Sequence, residues 1–375
     1  MRIAVNTRLL LHDRLDGIGW FTAETARRMV LAHPEHEFFF FFDRKPHPEF
    51  LFADNVTPVV LCPQARHPVL WYLYFEWSTQ IALKRYKIDL YLSPDGMMPL
   101  NPKVPTLNVI HDLNFEHASG NLKASHQRYM SHYFPLFARN ATRLATVSSY
   151  SKKDIAETYG IPAEKIDVVY DGAHSNYRPH SDDEKEAIRQ RFTDGHPFVI
   201  FISTILKRKN LANLLLAFDK VKEDKGNEDL KLVVVGSRVW WQDELESAWN
   251  GMKHQSDVIF PGRVEPNDLS ALLSAAEMLV YPSYFEGFGI PILEAMYAET
   301  AVIASRTTSM PEVGGDAVLY IDPSDIDDIA HAISRLRDKT LRQEFIEKGR
   351  LQRQKFSWEI TANLLWDSMM KTIKS

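Results

Sequence analysis

Cysteine is almost absent from this chain: Cys62 is its one thiol in 375 residues. That excludes a disulfide framework and any zinc site built from cysteines, and it fits a reducing compartment. A surplus of positive charge is absent too. The 44 Lys plus Arg stand against 49 Asp plus Glu, a formal net charge of -5, which excludes the strong basic excess of a dedicated nucleic-acid binder. The N-terminus lacks the pattern of a charged start, apolar centre and small-residue cleavage site. Met1-Arg2-Ile3-Ala4-Val5-Asn6 enters a strand pattern at once, so the expected location is cytoplasmic. No apolar run approaches the ~18 residues of a membrane span. The nearest, Val69 to Leu83, is broken by Glu76 and carries Ser78, Thr79 and Gln80.

That stretch is instead rich in aromatics (Trp71, Tyr72, Tyr74, Phe75, Trp77), with Lys84, Arg85 and Lys87 after it. It reads either as a helix in a core or over a pocket, or as an amphipathic element in peripheral contact with the inner membrane surface.

The remaining composition is ordinary, with 45% hydrophobic and 25% charged residues, and the length predicts two domains. Short apolar runs alternate with helix-length amphipathic stretches, the mark of parallel sheets covered on both faces. Strands are expected at Ile3–Asn6, Phe38–Phe42, Val59–Leu61, Leu90–Leu92, Thr106–Ile110, Leu144–Val147 and Ile166–Val169. A second series starts after the polar loop Asp171–Pro179, at Phe198–Ser203, Leu230–Val235, Val258–Phe260, Met278–Tyr281, Ala301–Ala304 and Ala317–Tyr320. The expectation is two doubly wound α/β domains, Rossmann-like and facing across a cleft, at 1–172 and 173–356. The tail, 357–375, is expected to be a helix that returns to the first domain. A ligand belongs in such a cleft.

Three segments carry chemistry. Asp16-Gly17-Ile18-Gly19-Trp20-Phe21-Thr22 follows the first strand, and Gly17 and Gly19 suit a tight backbone approach at a helix N-terminus. Thr22 stands where a dinucleotide fingerprint needs its third glycine, so turn geometry and ligand contact both remain open. Val109-Ile110-His111-Asp112-Leu113 places a His-Asp pair at a strand end. His111 reads as a hydrogen-bonding partner of a polar substrate or as a structural histidine. The spacing of His111, Asp112, Glu116 and His117 matches no common zinc motif.

The third segment is Tyr281-Pro282-Ser283-Tyr284-Phe285-Glu286-Gly287-Phe288-Gly289-Ile290-Pro291-Ile292-Leu293-Glu294. A strand ends, a glycine loop follows, and Pro291 opens a helix. The amides from Gly287 to Ile290 suit a phosphate cradle, with Glu286 and Glu294 reaching different parts of one elongated ligand. The plainer reading makes Glu286 an N-cap and Glu294 a carboxylate favoured by the helix dipole. Lys207-Arg208-Lys209 after the Phe198 strand supplies cations for phosphates, or a solvated basic loop. Asp325-Ile326-Asp327 is expected to cap a helix rather than to bind metal.

Together these segments resemble the retaining GT-B glycosyltransferases of family four, of the type that assembles bacterial polysaccharides. The carriers are E-G-F-G-I-P-I-L-E-A-M at Glu286, G-I-G-W-F-T at Gly17, S-P-D-G-M-M-P-L at Ser93, V-I-H-D-L at Val109, V-S-S-Y-S-K-K-D-I at Val147, L-K-R-K-N-L at Leu206, P-E-V-G-G-D-A at Pro311 and F-S-W-E near the C-terminus. The resemblance implies hexosyl transfer from a nucleoside diphosphate sugar, GDP-mannose or a UDP-sugar, to a hydroxyl of a glycan or lipid-linked saccharide, with retained configuration, no metal and no other cofactor. It implies that the first domain binds acceptor, through the region of Gly17, Gly19, Trp20 and Gly96, and that the second binds donor. Glu294 then takes the donor ribose, and Glu286 faces the transferred sugar. Gly287, Phe288 and Gly289 hold oxygens through their amides, Lys209 neutralises the diphosphate, and Arg263-Val264 line the nucleobase. His111 lies near the reacting centre. Many members carry an arginine where this chain has Thr204, with Arg208 the available substitute. A nucleotide-sugar epimerase and a non-catalytic nucleotide-sugar-binding partner are the rival functions.

Overall fold

A computed structural model describes residues 1–12, 15–117, 123–237, 241 and 243–374. The chain divides into two compact units, Met1–Gly172 with Ser357–Ser375, and Ala173–Phe356. Each is a parallel sheet wrapped by helices.

In the first unit β1 (Arg2–Asn6), β2 (Glu37–Phe42), β3 (Val56–Val60), β4 (Leu90–Ser93), β5 (Thr106–Val109), β6 (Arg143–Thr146) and β7 (Ile166–Val168) lie in the order β3-β2-β1-β4-β5-β6-β7. Phe38 to Phe42 are all buried, and β2 pairs in parallel with β1 from Arg2↔Glu37 to Asn6↔Phe41. A strand covered on both faces must be apolar at every position, which explains a run with no alternation. The edge strand β3 instead exposes Thr57, Pro58 and Val60.

Helix Gly17–Ala32 is capped by Asp16, whose carboxylate accepts from the Gly19 N–H at 2.9 Å. The C-terminal helix Trp358–Lys374 belongs to this unit and lies along it. Arg28 pairs with Glu359 at 2.8 Å, Trp366 stacks on His33 with centroids 3.6 Å apart, and Ser368 donates to Asp167 at 2.7 Å. At the junction of the units, a Cβ on Gly172 would lie 2.5 Å from the Trp358 nitrogen, so only glycine admits the helix start there.

In the second unit β8 (Phe198–Ile202), β9 (Lys231–Val235), β10 (Val258–Gly262), β11 (Met278–Tyr281), β12 (Ala301–Ser305) and β13 (Val318–Ile321) lie in the order β10-β9-β8-β11-β12-β13. Before β8 comes a helix absent from the sequence expectations, Asp182–Thr193, with a Ser181/Glu184 capping box. Two doubly wound α/β units are therefore what forms. In each the winding reverses once, between β1 and β4 and between β8 and β11. The carboxyl ends of strands at such a reversal leave a crevice where open sheets hold their ligands.

Candidate active site

The crevice of the second unit gathers two of the predicted segments. After β8 the chain makes a tight turn, Lys207–Lys209, before helix Leu211–Glu223. That turn separates three adjacent cations. Lys207 points out to Glu244 at 3.0 Å with its side chain half-exposed, whereas Arg208 and Lys209 point inward. Lys209 Nζ donates to Glu286 Oε1 at 2.6 Å and to the Tyr281 hydroxyl at 2.8 Å. Arg208 sits 3.1 Å from Glu286 Oε2 and donates to the Phe285 carbonyl at 2.8 Å.

Glu286 is 6% exposed. Burial by itself would raise its carboxyl, but Lys209 and Arg208 outweigh that and hold it well below the usual carboxylate range. It is therefore an ionised, oriented acceptor rather than a helix cap. The cap position of helix Ile290–Tyr297 is Gly289, at φ +102°, with no side-chain capping bond. Ser309 Oγ lies 2.9 Å from both the Glu286 and Phe288 carbonyls. Because peptide planes are trans, anchoring those two carbonyls aims the Gly287 and Gly289 N–H groups the opposite way.

One turn into the helix, the Glu294 carboxyl is raised to about 7 by burial, against a hydrogen bond from the Tyr177 hydroxyl that lowers it. Of the Arg263-Val264 pair at the end of β10, Arg263 is exposed and Val264 half-buried.

The first unit holds the other two segments. His111, just past β5, places Nε2 2.8 Å from the Pro94 carbonyl. A carbonyl only accepts, so Nε2 carries the proton and Nδ1 keeps its lone pair when the ring is neutral. Burial lowers the His111 pKa, which favours that neutral form. The ring packs edge-on against Phe21, with centroids 4.9 Å apart.

Pro94 is held by a network that sequence reasoning missed. Arg8 Nε donates to Asp95 Oδ2 at 2.6 Å, and both side chains are buried. Asp95 Oδ1 accepts from the Met97 N–H at 3.1 Å, and the Gly96 carbonyl accepts from Asn108 Nδ2 at 3.0 Å. Gly96 has φ +80°, and a Cβ there would come within 2.8 Å of the Phe134 ring. Gly19 is also tightly placed, since a Cβ there would come within 3.0 Å of the Leu15 side chain and 3.2 Å of the Leu9 carbonyl. Gly17 corrects the expectation of a tight approach: a side chain there would meet open space, because the helix simply begins at that residue. Trp20 is exposed.

The first unit matches the family model described as Glycosyltransferase Family 4 over residues 15–176, and the second matches Glycosyl transferases group 1 over residues 182–352. O-antigen chain mannosyltransferase B of Escherichia coli is 30% identical over 365 residues, which cover 92% of this chain and 93% of that protein. This chain belongs to the family-four glycosyltransferases.

Another relative of the glycosyltransferase is O-antigen chain mannosyltransferase RfbU of Salmonella typhimurium, 27% identical over 74% of this chain and 76% of that one. Among solved structures, sucrose-phosphate synthase from Thermosynechococcus elongatus superposes with a TM-score of 0.78 at 18% identity, over 99% of this chain and 98% of that one. HepE of Anabaena, in complex with UDP and glucose, gives 0.75 at 16% identity over 98% and 99%. These likenesses establish the GT-B fold.

The carboxylates and histidines of this glycosyltransferase that could suggest a metal are engaged elsewhere. Asp112 accepts from the Asn114 N–H at 2.9 Å, Glu116 accepts from the Tyr159 hydroxyl at 2.9 Å, and His117 pairs with Asp154 at 2.7 Å. Asp325 caps helix Ile326–Leu336, and Asp327 pairs with Lys220 at 2.5 Å. Among the described residues, the group with metal-compatible spacing is His12, His47 and Glu49, exposed on the first unit.

Proposed function

We propose that this glycosyltransferase moves a hexosyl group, with mannosyl the favoured sugar, from a nucleoside diphosphate sugar to a hydroxyl of a glycan or lipid-linked saccharide during cell-surface polysaccharide assembly. The observation that carries the reading is the buried Arg208–Lys209–Glu286 constellation at the second unit's crevice, with the oriented amides of Gly287 and Gly289 beside it. Two fixed cations and a helix N-terminus suit a diphosphate leaving group, whose charge grows in the transition state. The mannosyl assignment draws on relatives named as O-antigen mannosyltransferases.

In this reading the second unit binds the donor. Glu294, supported by Tyr177, takes the ribose hydroxyls. Glu286 accepts from hydroxyls of the transferred sugar, and Arg263 and Val264 line the base. Lys209 and Arg208 supply the charge that a metal would otherwise provide, so transfer proceeds without one. The first unit binds the acceptor near Gly19, Trp20 and Gly96, and His111 offers its Nδ1 lone pair to a sugar hydroxyl at the reacting centre. Attack then occurs on the front face, configuration is retained, and the departing phosphate takes the acceptor proton.

The test is to incubate the protein with GDP-mannose and a panel of UDP-sugars, with and without saccharide acceptors, and to follow released nucleoside diphosphate and product configuration. Acceptor-dependent release with GDP-mannose supports the reading. Sugar isomerisation without an acceptor would instead establish an epimerase, and binding without turnover a non-catalytic partner.

A further inference from the structure

The aromatic stretch read ambiguously in the sequence has two distinct sides. Pro68–Leu73 and Gln80–Arg85 are α-helical, joined by a π-helical turn over Tyr74–Thr79, in which the Thr79 hydroxyl donates to the Tyr74 carbonyl at 2.9 Å. One side is core: Trp71, Tyr74, Phe75, Ala82 and Leu83 are buried, and Trp71 Nε1 donates to the Ala65 carbonyl at 2.7 Å. The other side leaves Val69 62%, Trp77 64% and Ile81 64% exposed, with Tyr72 beside them. In an unbroken α-helix the position in line with Val69 and Tyr72 would be Glu76. The extra residue of the π turn moves it to Trp77, then to Ile81, and brings Lys84 and Arg85 onto the next turn. Glu76 is turned aside, accepting from the Leu100 N–H at 2.5 Å.

The charge around this face has one sign. Lys84, Arg85 and Lys87 are exposed, and so is Arg128 on the adjoining helix Ala124–Asn140, which contains no acidic residue. The rings of Tyr72 and Tyr133, 6.1 Å apart, bring the two helices together. Among the described residues no carboxylate pairs with any of these four cations. On the second unit, exposed lysines do find partners, as in Lys207–Glu244, Lys220–Asp327 and Lys253–Glu223. In a protein of net charge -5, a cationic rim beside a row of exposed large apolar side chains is a local feature. The helix dipole accounts for Lys84 and Arg85 at a C-terminal end, but it gives no reason for Trp77 and Ile81 to face water.

We propose that this face docks the enzyme on an anionic lipid surface, with Trp77 and Ile81 entering the headgroup layer and Lys84, Arg85 and Lys87 meeting lipid phosphates. A mixed aromatic-aliphatic stripe flanked by cations has the composition of an interfacial helix. It lies flat on the bilayer, since no helix among the described residues is long and apolar enough to cross one. The inference does not depend on the donor assignment, although a surface-bound enzyme would meet a lipid-linked acceptor directly.

The experiment is co-flotation of the full chain with vesicles of phosphatidylcholine alone or with added phosphatidylglycerol, at low and high salt. Binding is expected with phosphatidylglycerol and should weaken with salt. The pair K84A and K87A should weaken it roughly 25-fold, about fivefold for each lysine, and W77S with I81S at least ~10-fold. All four positions are exposed, and an unchanged thermal shift with UDP and GDP relative to the parent confirms that each variant is folded. If neither nucleotide binds the parent, the donor reading fails while the flotation result stands by itself. No flotation with phosphatidylglycerol overturns the proposal, as does flotation indifferent to W77S and I81S. Salt-sensitive binding to duplex DNA in place of vesicles, or a dimer abolished by W77S and I81S, would likewise assign the face to another partner.

Discussion

Replacing Lys209 by alanine removes one of two cations held against a buried carboxylate. Glu286 is 6% exposed, with Lys209 at 2.6 Å and Arg208 at 3.1 Å. Stranding one partner of a buried pair costs ~3–5 kcal/mol. Arg208 remains, so the lower end applies, about 3 kcal/mol, which lowers the melting temperature of a unit this size by roughly 6–12 °C. On the proposed donor reading, the variant also loses a charge-assisted hydrogen bond to the diphosphate, worth ~1.5–3 kcal/mol, or roughly 10- to 150-fold in affinity. The double variant Lys209→Met/Glu286→Gln separates the two effects. It removes the carboxylate along with the lysine, leaving Arg208 its bond to the Phe285 carbonyl, and should regain part of the stability, yet it should bind nucleoside diphosphate as poorly as the single variant. Calorimetric unfolding and titration with UDP and GDP measure both quantities. Because the Glu286 pKa is depressed, its stabilisation is present above the ordinary value of 4.5 and is lost as pH falls through the folded value. The double variant should lack that acid limb. A folded Lys209→Ala protein with donor affinity within about twofold of the parent would refute the phosphate-clamp reasoning.

His111→Ala should lower kcat at least ~100-fold while changing the donor KM less than about threefold, if His111 acts at the reacting centre as proposed. Steady-state kinetics at varied donor concentration decide this. Glu294 has the opposite linkage to Glu286. Its carboxyl is raised to about 7 from an ordinary 4.5, so ionising it costs the folded state progressively as pH rises through that window. Discounted for partial exposure, that cost is ~2 kcal/mol. Glu294→Gln should match the parent in melting temperature near pH 5 and exceed it near pH 8, while binding nucleoside diphosphate more weakly at both. Gly172→Ala should cost the first unit more than ~3 kcal/mol, because its Cβ meets backbone atoms of Ser357 and Trp358 that cannot rotate away. Denaturant unfolding measures it, and a loss below about 1 kcal/mol would mean the C-terminal helix shifts freely.

Much of the architecture was legible because parallel strands covered on both faces must be apolar at every position. Phe38–Phe42 and Val199–Ile202 could hardly be anything else. Helix Asp182–Thr193 gives no apolar periodicity, because only Ile188 and Thr193 are buried and its pattern is polar. The available signal was Ser181 three residues before Glu184, the spacing of a capping box. The site residues lay in motifs at strand ends, where loops carry chemistry. Tyr281 and Tyr177 carry no such signal, since nothing local to a tyrosine says that its hydroxyl meets Lys209 or Glu294.

The sequence by itself determined which segments become strands, which loops carry glycine and carboxylate, and that three adjacent cations, Lys207–Lys209, follow the first strand of the second unit. The tertiary structure decided which of those three chemically similar cations serves the site. Lys207 leaves toward Glu244 whereas Arg208 and Lys209 both enter toward Glu286, because the tight turn swings the chain direction between the first cation and the next two. It also decided the Arg8–Asp95 pairing beneath His111. Those residues are far apart in the chain, and they meet because the sheet order places β4 directly beside β1. Strand adjacency is a long-range choice that apolar periodicity within each segment cannot encode.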